Sequence, residues 1–177
     1  MEVKEFEKRV REDLIGFLTR KGALDRRVPE CPDVEERWGE ICRAYLPDGV
    51  REFRDYPVVS LGWIMFVGMA MAFYWDTDWE TYSARKGIYE GLRDRRGFDN
   101  MDDSVTEDVL GYRDEDAARV IDLAAQCASR VFSLLSHSHI EAGTQNAMEC
   151  YMAALHQLYL AGMGMELNSL GYHMKPV

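Results

Sequence analysis

Two acidic segments, WDTDWE (75–80) and FDNMDD (98–103), concentrate the side chains best suited to hold a metal. Asp76 and Glu80 are four residues apart, so on one helix they share a face and can bind one hard cation through oxygen. Asp102 and Asp103 form a second acidic group, with Asp78 and Asp99 beside the two. Helical nucleotide hydrolases use such carboxylates to hold Mg²⁺ on a pyrophosphate, because metal must offset phosphate charge where a water attacks. The paired-acid spacing of those enzymes on successive helices does not recur cleanly here. Aspartate is also favoured in solvated helix ends and N-cap turns, which is the plainer reading. No cofactor is therefore expected. The alternative is Mg²⁺ or Mn²⁺ at Asp76, Glu80, Asp102, Asp103 and His156.

The histidines add little to that set. His137 and His139 flank Ser138 in what reads as a linker, and His173 lies in a short tail. Glu149 and His156 are seven residues apart, two helical turns, so they face the same way without sharing one ion directly. A carboxylate-bridged di-iron bundle needs a Glu-x-x-His motif, and none is present. Nucleophilic catalysis has no support, since the chain lacks GxSxG, and the Walker and GxGxxG phosphate cradles are missing too.

Aromatic residues crowd one stretch: Trp63, Phe66, Phe73, Tyr74, Trp75, Trp79 and Tyr82. A stripe of aromatics on a helix is ordinarily core. Where the apolar run meets the acids, Trp75 and Trp79 are the candidates for a pocket around a cationic or heterocyclic ligand.

The elements that would position these residues are helices. Val3, Phe6, Val10, Leu14, Phe17 and Leu18 recur at helical spacing and stop at Arg20-Lys21-Gly22. The same cation–glycine punctuation returns at Arg85-Lys86-Gly87 and Arg95-Arg96-Gly97. Asp33 with Glu36 reads as a capping box for a helix reaching Tyr45, Pro47-Asp48-Gly49 as a turn, and residues 50–57 as undecided. A central helix starts at Ser60, passes Trp75 and Trp79 and ends by Gly87. Ser104 with Glu107 caps a short helix ending near Gly111. A long helix from Asp114 or Asp116 reaches Ser136. Ser138 with Glu141 then caps the last helix, which runs to Leu170.

Two stretches are apolar on every side, Val58–Trp75 and Cys150–Met165. The first touches the lower length limit of a membrane span, but Gly62, Gly68 and flanking acids favour a buried core helix. Enclosing two such helices strains a bundle of this size, so a homodimer through Gly162, Met163, Gly164 and Met165 is expected, or a protein partner. The fold class is all-α, a single domain over 1–177 with about five to seven helices, a central apolar helix (58–75) and a long C-terminal helix (139–170).

Charge and cysteines bound the partners. The net charge of -10 repels phosphate backbones and anionic headgroups, which argues against nucleic acid and membrane surfaces. Cysteines at 31, 42, 127 and 150 show no CxxC spacing, and the N-terminal segment is charged, so reduced thiols and a cytoplasmic location are expected. The function expected is a non-enzymatic domain that works by self-association or protein partners. The alternative is a metal-assisted hydrolase or small-ligand binder built on the acids.

Overall fold

The computed structural model describes residues 1–172. Among them it contains eight α-helices and no strand. They are α1 (Val3–Arg20), α2 (Pro32–Glu35), α3 (Trp38–Phe53), α4 (Pro57–Ser83), α5 (Ile88–Asp94), α6 (Met101–Asp103), α7 (Asp114–His137) and α8 (Gln145–Ser169). Both α2 and α6 are single turns, leaving six helices of substance.

The bundle is built around α4 and α8, which cross with their backbones in direct contact. A Cβ placed on Gly68 would lie 2.1 Å from the Tyr159 carbonyl oxygen, and one on Gly162 would lie 2.1 Å from that of Met65. Only glycine permits this approach. Each apolar helix thus covers much of the other, and α1, α3 and α7 complete the enclosure. Both of the helices that are apolar all round are therefore satisfied within one chain. Met163 is fully buried and Met165 nearly so, while Gly164 packs on Val28, Leu24 and Pro29 of the α1–α2 link. The surface expected to join two copies is consumed inside the monomer.

Several boundaries differ from the sequence expectations, each for a local reason. Pro47-Asp48-Gly49 lies inside α3, which runs on to Phe53 and so settles most of the undecided 50–57 segment as helix. Asp48 is buried there, accepting the Tyr89 hydroxyl at 2.6 Å and the guanidinium groups of Arg93 and Arg51 at 3.2 and 3.1 Å. Gly49 has no room for a side chain, because a Cβ would come within 2.6 Å of the Tyr151 hydroxyl. Its carbonyl accepts the Ser60 hydroxyl, and Ser60 Oγ accepts in turn from Tyr151. Tertiary packing has overridden turn propensity.

The expected capping boxes are replaced as well. At α2 the Glu35 carboxylate accepts the Cys31 N–H, while Asp33 is engaged by Trp75 Nε1 at 3.0 Å. Helix α4 begins at Pro57, three residues before Ser60, with proline in the first turn where its missing N–H costs nothing. Ser104 opens a wide π-type turn over Ser104–Val109, closed by the Leu110 N–H reaching back to Val105 O, and its hydroxyl is buried without a partner among the described residues. Ser138 bonds back to the Leu134 carbonyl, and the last helix starts only at Gln145, capped by Thr144 on the Ala147 N–H.

Two arginines of the basic run near 93–96 are spent on ion pairs. Arg93 serves Asp48 and Asp94, and Arg96 holds Asp108 and Glu107. Across the bundle, Arg130 of α7 grips Asp13 of α1 with two parallel hydrogen bonds of 2.8 and 2.9 Å.

Candidate functional site

The acids singled out from the sequence do not meet. The backbone leaves helical geometry at Asp78 (φ −164°, ψ 75°), between Asp76 and Glu80, so the four-residue spacing no longer aligns them. Asp78 starts the chain turning again by accepting the Thr81 N–H and hydroxyl, and these bonds hold its carboxyl below its usual range. Asp76 is exposed and accepts the Tyr172 hydroxyl. Asp102 accepts the Asp103 N–H at 2.8 Å, and burial raises its pKa. His156 lies flat on Trp38, ring centroids 4.9 Å apart, with Glu7 at 3.9 Å, and burial lowers its proton affinity. Among the described residues no three His, Cys, Asp or Glu side chains stand together as a metal-holding group. The set Asp76, Glu80, Asp102, Asp103 and His156 is not assembled.

Trp75 and Trp79 are structural neighbours of the α2 region. Trp75 donates to Asp33 and meets Tyr172 edge-on, while Trp79 lies 5.9 Å from the Arg37 guanidinium. Arg37 ties that corner down by donating to the Ser83 and Arg85 carbonyls. Neither tryptophan lines the clefts described next. His137 bonds to the Ser133 carbonyl of its own helix, and His173 lies outside the described residues.

Two clefts carry the surface features a ligand or partner could use. The first, of about 300 Å³, opens between the start of α7, the end of α8 and the α1–α2 link. Met69, Val120, Leu123 and Met165 form its apolar wall, and Tyr112, Asp116, Arg119, Glu166, Asn168 and Ser169 its polar lining. Glu166 is 3% exposed. The Tyr112 hydroxyl donates to its Oε2 at 2.7 Å and lies 3.1 Å from Ser169 Oγ. Desolvation pushes the Glu166 carboxyl up to about 7, with nearby Asp76 adding to the rise and the Tyr112 hydrogen bond opposing it. A carboxyl poised near neutrality in a cleft wall is the kind of group that marks binding sites.

The second cleft, of about 560 Å³, lies between α3, α7 and the start of α8. Phe53, Phe132, Leu135, Ile140 and Tyr151 line it, and Val50 and Met148 stand at 43% and 41% exposure on its walls. Its one phenol is already committed, because Tyr151 donates to Ser60. The cleft therefore offers mainly apolar contact, with Ser136 and Thr144 as its other polar side chains.

Sequence reasoning passed over both. Glu166 is the only carboxylate between Cys150 and Leu167, in an otherwise apolar stretch, and that isolation was the available signal. The chain matches no protein-family model, no curated protein and no solved structure.

Proposed function

We propose that this chain is a non-enzymatic helical domain that works by association, and that it pairs with a second copy of itself through the apolar cleft between α3, α7 and α8. The observation that carries the reading is the exposure of Val50 and Met148 on the walls of a hollow lined by Phe53, Phe132 and Leu135. Exposed apolar surface gathered at one place marks interaction sites, and large side chains scattered singly do not. A two-fold contact must be self-complementary, and this patch holds both projecting side chains and a hollow to receive them. The contact moves here from the Gly162–Met165 face because that face is buried within the monomer.

The rest of the reading follows from charge and thiols. A chain of net charge -10 repels nucleic acid, membrane surfaces and its own copy, so an apolar pairing should tighten as salt rises. The four cysteines are unpaired and buried, in keeping with a reducing, cytoplasmic setting. Burial pushes the Cys127 thiol up to about 12, which fits a packing role and not a reactive one.

Size exclusion with light scattering tests the pairing. A dimer mass at micromolar concentration is expected, strengthened by added salt. Val50→Glu with Met148→Glu should give a monomer of unchanged helical circular dichroism. A monomeric parent chain, or a dimer that survives both substitutions, rejects the proposal.

A further inference from the structure

The Tyr112–Glu166 cleft has the makings of a ligand site, independent of how copies of the chain associate. A side chain that is 3% exposed and ionisable stands in the wall of an open space, at a desolvation cost that a leucine there would not incur. Its neighbours decide the sign of what could enter. From α7 come Asp116 and Arg119, from the segment before it Tyr112, and from α4 Asp76, close enough to influence Glu166. The α1–α2 link presents only Gly22 and Ala23. Arg119 is partly spent, since it donates to the Lys21 carbonyl at 2.9 Å. Among the described residues two carboxyl groups, Glu166 and Asp116, thus line the cleft against one cation, with Asp76 near Glu166.

We propose that this cleft binds a small organic cation, a protonated amine on a compact apolar skeleton, with the ammonium bonded to the Glu166 carboxylate and the skeleton against Met69, Val120, Leu123 and Met165. Two physical arguments support that class. Glu166 has little solvent to stabilise its charge, and a counter-ion brought in beside it supplies what water cannot. The cleft of about 300 Å³ also suits a molecule of a few heavy atoms, and Met69, Val120, Leu123 and Met165 give it aliphatic and thioether carbon beside its polar groups. Tyr112 keeps its hydroxyl on Oε2 and so fixes the carboxyl orientation. Tyr112 acts as a positioning residue, and Glu166 carries the recognition.

Below neutrality the cleft holds a neutral carboxyl, and an incoming ammonium keeps its own proton. On binding, the Glu166 proton passes to the buffer and leaves a carboxylate–ammonium pair. Affinity must then rise with pH until the free carboxyl is ionised, and flatten above that point.

Three probes of one skeleton test this on the full chain: isopentylammonium chloride, isopentanol and isovalerate. Binding is read from the methyl NMR signals of Met69 and Met165 in the parent and in Glu166→Gln and Tyr112→Phe. The cation should bind at least tenfold more tightly than the alcohol or the acid. Its affinity should rise about tenfold between about pH 6 and pH 8, the size set by a carboxyl titrating near 7. Glu166→Gln, which keeps the shape and the Tyr112 acceptor, should erase the preference for the cation and the pH dependence. Tyr112→Phe should retain the preference, weakened a few-fold. The proposal is overturned if the three probes bind alike, if the cation preference survives Glu166→Gln, or if no probe gives saturable shifts at millimolar concentration. Because none of these readouts depends on oligomeric mass, failure here is distinguishable from failure of the pairing.

Discussion

Glu166 should leave a signature in stability as well as in binding. In the unfolded chain it ionises at about 4.5, the ordinary value for a glutamate, whereas in the folded chain burial holds the proton up to about 7. Its contribution to stability is therefore complete below the unfolded value and is lost as pH rises through the folded one. Glu166→Gln removes that loss. At about pH 4 the variant should match the parent in urea unfolding to within a few tenths of a kcal/mol, and at about pH 8 it should exceed it by up to about 3 kcal/mol, a figure set by the width of the shift. Equal differences at both pH values would sink the idea. At this scale the sequence was a poor guide. It drew attention to Asp76, Glu80, Asp102 and Asp103, which are numerous and exposed or half-buried. The isolated acid in an apolar helix said more, but its partner Tyr112 is far off in sequence, and only the fold brings the two within 2.7 Å.

Helices were more legible than their ends. The stops marked by Gly22 and Gly97 fall where the structure places left-handed backbone, at φ 74° and 86°. Gly87, also left-handed at 67°, turned out to open α5, because α4 had already ended at Ser83. Apolar periodicity found α1 and α7, and unbroken apolar runs marked α4 and α8, because both patterns report burial directly. Turn and cap signatures misled at Pro47-Asp48-Gly49 and Ser138, where residues typical of loops instead satisfy buried partners. The α4–α8 crossing was visible in composition, as two stretches apolar all round with glycines, but not that they face each other. Its test is a pair of substitutions. Gly162→Ala must push the two backbones apart and should cost about 3 kcal/mol or more, at the upper end of overpacking. Gly91→Ala, in α5 with nothing within 4 Å, should be neutral or stabilise by about 0.5–1 kcal/mol. Comparable unfolding midpoints for the two variants would remove the close crossing from the account.

For the whole molecule, the decisive question is what surrounds α4. By length and composition it is the one helix among the described residues that passes for a membrane span, yet 72% of its apolar window is buried by the rest of the chain. A helix already enclosed gains little from lipid. The chain should therefore purify without detergent, with strong helical circular dichroism, and recovery only from the membrane fraction would contradict the enclosed arrangement. The same crossing has a consequence during synthesis. Residue 68 leaves the ribosome long before residue 162, and at ordinary elongation rates the interval is on the order of ten seconds. Through that time α4 exists without the partner that covers it, as bare apolar surface on a tethered chain. The nascent protein is thus a client for whatever shields hydrophobic segments in the cell, and a stalled or shortened message would release a product that sticks to others before it can fold.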